Sequence, residues 1–340
     1  MHRTKSSLSL NLREYRRNKE YLVAIDTDGC IVDNMNGKQI LIFHPLYMEF
    51  YNLWEIESYF RETAEYFNLF SVYRGSNRFI TIVLTLKELK KRQDVRKYAE
   101  KINLSIPDFQ PIERFIHFCE ENGYGLSNIS LGKYLEKNIF DFGIHKLLGW
   151  SRAVNELLPQ MNKLFVPFKN VKESLQFIKE NADICVVSQT PYNDLYEYWE
   201  FYGMLGFLNA ILSQETGNKT DQVKILKETG GYCEQNILVI GDSYTDLQAA
   251  KTNNASFYPI IPGREEESWE KFPEIFRLFL SGNYSKRMQT EYINEFSKTL
   301  SSIPAWEKSD YDHQSAYKER QQLRKSLYEK YNPEGRLLLL

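Results

Sequence analysis

Acids, a hydroxyl and a lysine are the groups from which acid–base and nucleophilic chemistry is built, and this chain places them in a recurring setting. Residues 21–35 read YLVAIDTDGCIVDNM, an apolar run that ends in Asp26, Asp28 and Asp33. Carboxylates this close repel, and burying them is costly unless a positive charge pairs with them. Two later stretches end the same way. ICVVSQT puts Ser188 and Gln189 after an apolar run, and ILVIGDSYTDLQAA puts Asp242 after another, with Asp246 one helical turn beyond. GNKTDQV supplies Lys219 between them. Taken singly, each group has an ordinary reading. Lys219 would be a surface lysine, Ser188 a cap, and GDSYTD the start of a helix. DTDG alone would be a turn or a calcium loop, although it lacks the distal Glu of a full calcium series.

The elements that must position these groups are short. YLVAID (21–26), ICVVS (184–188) and ILVIGD (237–242) are β-branched apolar runs, as in a parallel sheet covered on both faces. Residues 170–183 and 219–231 have helical apolar spacing, with Gly230 and Gly231 able to end the second. Residues 244–254 read as another helix and 255–263 as a further strand and loop. This alternation predicts an α/β fold with a Rossmann-like parallel sheet. Asp26, Ser188 and Asp242 then fall at the C-terminal ends of strands, the edge where such sheets bind ligands.

From 34 to 167 the pattern turns helical, over 45–70, 80–101, 112–122 and 134–161, the last broken near Gly143. We expect a helical insertion over 34–167, with the chain returning near Pro167. The expected division is a lead-in over 1–20, a core of 21–33 and 168–284, the insertion, and a charged helical extension over 285–340. That extension reads equally as a packed arm, an oligomer contact or a solvated tail.

Composition narrows the class. The 340 residues are 42% hydrophobic and 26% charged with net charge -2, which supports a core and lends no basic field for nucleic acid or an acidic membrane. No apolar run is long enough to span a bilayer, and the N-terminal stretch has no secretory apolar segment. Cys30, Cys119, Cys185 and Cys233 include no CxxC pair, and the five histidines show no zinc spacing. A cytoplasmic protein with reduced thiols is expected.

DTDGCIVD resembles the DxDGxxxD signature of haloacid dehalogenase-like (HAD) phosphatases, and GDSYTDLQAA closely resembles their fourth motif, GDSxxDxxAA. ICVVSQT and Lys219 are similar to the second and third motifs and follow in the right order. The resemblance covers residues 21–34 and about 165–263. It implies that Asp26 is the nucleophile that forms an aspartyl-phosphate and that Asp28 is the acid/base. It also implies that Mg2+ is held by Asp26, Asp28 through its main-chain carbonyl, Asp242 and Asp246. Lys219, Ser188 and the amides after Asp26 and Ser188 would bind the phosphoryl group, with Gln189 a further candidate. Cys30 departs from the family, which usually has Thr there, and Asp33 is expected to shape the turn.

The insertion resembles the C1-type helical cap of that family. Within it, SVYRGSNRF (71–79) presents Arg74 and Arg78, either as a loop that binds substrate anions or as a solvated connector. The resemblance therefore implies a Mg2+-dependent phosphatase acting on a small phosphorylated metabolite. A phosphomutase, or a binding or regulatory protein that keeps the fold without turnover, are the alternatives. Neither nucleic acid nor membrane is expected as a partner, and the oligomeric state stays open.

Overall fold

In a computed structural model of the chain, residue 12 and residues 14–332 are described. Most of the expected lead-in lies outside the described residues. The chain forms two compact units. One contains the described residues up to Val32 together with Pro167–Phe296, and the other contains Asp33–Val166 with the described residues from Ser297 onward.

The first unit is built on five parallel strands: β1 (Tyr21–Ile25), β2 (Ala182–Val187), β3 (Ala210–Leu212), β4 (Ile237–Gly241) and β5 (Ser256–Pro259). Their order is β3-β2-β1-β4-β5, so β1 lies at the centre. Side chains alternate between faces along each strand. Leu22, Ala24, Cys185, Val187, Ile237 and Val239 cluster with Val223, Leu226, Leu247 and Ala250, so the helices Lys219–Gly230 and Tyr244–Thr252 cover that face. Helices Val171–Asn181 and Glu265–Leu280 pack together, with Phe177 and Phe276 edge to face at 5.4 Å. Because both faces are covered, β1, β4 and the Ile184–Val187 part of β2 are apolar runs, which is why they stood out in the sequence. β3 and the helix Tyr192–Phe201 did not stand out: a three-residue strand carries no period.

The second unit is helical, as expected, but its helices are shorter. The run expected over 45–70 breaks at Asn52, whose φ of 52° ends the helix His44–Tyr51 before Glu57–Glu65 begins. Arg92, in extended backbone, separates Arg78–Lys91 from Gln93–Lys101. The break expected near Gly143 falls just before Phe142–Met161, at residues 138–141. Trp150 centres the core, edge-on to Phe43 and Tyr47 at 6.2 and 5.2 Å.

The tail is not one separate extension. Phe296, on the helix Lys286–Thr299, packs against Tyr244 and Phe257 of the sheet unit at 5.4 and 6.1 Å. From Ser297 the chain joins the helical unit, where the helix His313–Tyr331 lies against Glu57–Glu65. Arg320 reaches Glu62 and Glu65 at 2.8 and 2.9 Å, and Tyr311 reaches Glu62 at 2.6 Å. Lys330 pairs with Asp33, and Tyr331 donates to the Asp33 carbonyl at 2.8 Å. Asp33 therefore ties down the tail in addition to following the turn. Among the described residues, no helix is long and apolar enough to cross a membrane, and the four cysteines are free.

Candidate functional site

The site grows from strand ends. Asp26 follows β1 directly, and its N–H donates to the Ile240 carbonyl at 3.0 Å, so its backbone is locked to β4. The chain then turns tightly. Gly29 sits at φ 73°, where a side chain would be strained, and the Thr27 carbonyl accepts from the amides of Cys30, Ile31 and Val32. The Thr27 amide donates to Asp26 Oδ1 at 2.7 Å. The Trp199 indole donates to Thr27 Oγ1 at 3.1 Å, which pins the loop from its side. Cys30 is buried, with its sulfur 3.8 Å from the Ile240 carbonyl.

Lys219 is the first residue of its helix, started by the Asn218 side chain accepting from the Asp221 amide. Its Nζ lies 2.6 Å from Asp26 Oδ2 and 2.7 Å from Asp246 Oδ1. Asp242 follows β4. Ser243 and Asp246 form a capping box, and the Ser243 amide and hydroxyl both donate to Asp246 Oδ2. Gly241 permits this closeness, because a Cβ there would overlap the Asp246 carboxyl group.

Oxygens of Asp26, Asp242 and Asp246 lie within 4.8 Å of one another. The three acids and Lys219 are 4%, 2%, 0% and 5% exposed, so all four are buried, and the ammonium is shared by Asp26 and Asp246. Burial works against the Lys219 charge, but the Asp246 and Asp26 carboxylates more than offset it and keep the ammonium protonated. Burial also pushes the Asp26 carboxyl well above its usual range; Lys219 pulls it back, and Asp246 and Asp242 push it up again. Excess buried carboxylate with hard oxygen donors suits a divalent cation such as Mg2+.

The neighbouring strand end supplies the rest. The Ser188 amide donates to the Leu212 carbonyl at 3.0 Å, just past β2, and its hydroxyl oxygen accepts from the Thr190 amide at 3.2 Å. Thr190 Oγ1 donates to Asp28 Oδ2 at 2.8 Å. Gln189 turns its amide to the Gly217 carbonyl at 2.9 Å, bracing the loop that leads to Lys219. Gln222, fully buried, donates to the carbonyls of Ser188, Ser213 and Gly217 at 2.9, 2.8 and 3.0 Å.

Asp26, Lys219, Asp242 and Asp246 thus come together, with Asp28 and Ser188 at the adjoining strand ends. Arg74 and Arg78 belong to the helical unit. Arg74 is buried and donates to the Leu69 carbonyl at 3.2 Å. Arg78 reaches Asn155 Oδ1 at 2.7 Å and lies 4.8 Å over the Phe43 ring. Sequence reading missed Thr190, Trp199 and Gln222. Only Gln222 left a trace there, as a polar residue on the buried face of its helix between Lys219 and Leu226.

Residues 120–260 match the family model described as haloacid dehalogenase-like hydrolase. That span holds Ser188, Lys219, Asp242 and Asp246, and leaves out Asp26 and Asp28. No curated protein matches the chain. Among solved structures, a predicted phosphoglycolate phosphatase from Haemophilus somnus 129PT aligns at 13% identity and TM-score 0.42, over 76% of this chain and 99% of its own. A haloacid dehalogenase-like hydrolase from Bacteroides fragilis aligns at 11% and 0.43, over 74% and 93%. A HAD-hydrolase from Bacillus subtilis, bound to magnesium, aligns at 13% and 0.36, over 71% and 88%. These are loose likenesses.

Proposed function

We propose that this chain, which carries a haloacid dehalogenase-like hydrolase core, is a phosphatase that hydrolyses a small phosphate monoester through a covalent intermediate on Asp26. The observation that carries the reading is the buried set of Asp26, Asp242 and Asp246, whose oxygens lie within 4.8 Å of one another, with Lys219 paired to Asp26 and Asp246.

The Asp26 carboxylate attacks phosphorus, and the bond to the leaving oxygen breaks as Asp28 gives that oxygen a proton. Asp28 then takes a proton from the water that cleaves the aspartyl-phosphate, releasing inorganic phosphate and restoring Asp26. Lys219 offsets the phosphoryl charge, and Ser188 hydrogen-bonds its oxygens. Mg2+, when bound, supplies further charge neutralisation and alignment of the phosphoryl group. Asp26, the main-chain carbonyl of Asp28 and Asp242 would hold it. Both Asp246 oxygens already accept hydrogen bonds, so its main role is to hold Lys219. Gln189, Arg74 and Arg78 are read as scaffold, each spending its described bonds on protein groups.

A screen of phosphate monoesters with Mg2+ tests this. Release of inorganic phosphate is expected, abolished by a chelator and by Asp26→Asn. Positional transfer on a sugar phosphate without release would instead indicate a mutase. An Asp26→Asn variant as active as the wild type would remove Asp26 as nucleophile.

A further inference from the structure

Thr190 ends the ICVVSQT stretch without a role of its own there, yet it touches one of the two residues assigned chemistry. Three of its groups are fixed. Its amide donates to Ser188 Oγ at 3.2 Å, its carbonyl accepts from the Gln214 amide at 3.2 Å, and its hydroxyl donates to Asp28 Oδ2 at 2.8 Å. The backbone bonds hold the residue in place, and the hydroxyl then holds the carboxylate. Asp28 itself follows Thr27, which Trp199 clamps. The contact joins residues 162 apart in sequence.

We propose that Thr190 is a positioning residue for the acid/base Asp28; this rests on the phosphatase reading above. A donor seated on Oδ2 fixes the rotation of the carboxyl group. The carboxyl group that serves the leaving oxygen and then the attacking water is therefore held in one orientation. Without the hydroxyl that hold on Oδ2 is lost, and the acid is in line for a smaller part of the time. Ser188 and the Asp26–Lys219 contact do not depend on this bond.

The expected effect is selective. A leaving group that departs as a stable anion needs no proton, whereas an alkoxide does. p-Nitrophenyl phosphate and benzyl phosphate, assayed on the full chain with Mg2+, separate the two cases. For Thr190→Val the ratio of kcat/KM on benzyl phosphate to kcat/KM on p-nitrophenyl phosphate, which reads the step that expels the leaving group, is expected to fall about tenfold. Thr190→Ser, which keeps the donor, is expected to restore the ratio to near the wild-type value. An equal loss of kcat/KM on both esters, or no rescue by Ser, would overturn the role. If the wild type cleaves neither ester, nor any in the wider screen, the phosphatase reading itself fails and this inference falls with it.

Discussion

Asp26 carries a charge that its surroundings oppose, since burial and two neighbouring acids all favour the neutral carboxyl. Lys219 and the Thr27 amide, at 2.6 and 2.7 Å, act in the opposite direction. The spacing that makes this possible depends on a missing atom. With Ala at 241, the new Cβ would displace the Asp246 carboxyl group and with it the grip on Lys219. Gly241→Ala is expected to lower kcat about 100-fold, with global stability reduced far less, since a small misplacement of catalytic groups is enough for such a loss. Paired kinetics and thermal melts would show it; a variant with unchanged kcat would mean that Asp246 tolerates displacement.

At the level of elements, the helix Glu57–Glu65 is held to the tail by buried charge. Glu62 accepts from Arg92, Arg320 and Tyr311, and also meets His313. Burial alone would raise its carboxyl, but these donors lower it from the usual 4.5 to about 2. A depressed folded-state value contributes stability that is present above pH 4.5 and lost as pH falls toward 2. The shift corresponds to about 3 kcal/mol. Between those pH values the wild type is expected to lose stability steeply, and Glu62→Gln to show a flatter profile from a lower plateau. Urea unfolding at a series of pH values checks this; parallel profiles would rule out Glu62 as the source.

Across the whole chain, Asp33–Val166 and the described residues from Ser297 onward make one helical unit, so a segment late in the chain completes a structure begun early. Arg320 and Arg324 come from that late segment, and Glu57, Glu62 and Glu65 from the early one. A chain ending after Asp310 would leave these acids without those partners. Breaking a buried pair by removing one member costs roughly 3–5 kcal/mol, so this truncation is expected to destabilise the helical unit by at least that much. Hydrogen exchange over residues 57–65 would rise sharply. Unchanged protection there would make the tail dispensable.

The α/β class, the order of the polar strand ends and the identity of Asp26, Ser188, Lys219, Asp242 and Asp246 were all legible in the order of amino acids. A parallel sheet covered on both faces demands continuous apolar runs, and a site at its edge demands polar residues where those runs stop, so both leave a local mark. Folding was needed to reveal that Thr190 meets Asp28, that Gln222 braces the loop to Lys219, and that the tail divides at Ser297 between two units. A charged residue looks the same in sequence whether it is solvated or paired in a core. What distinguishes Glu62 from a surface glutamate is its partners, which lie 30 to 258 residues away.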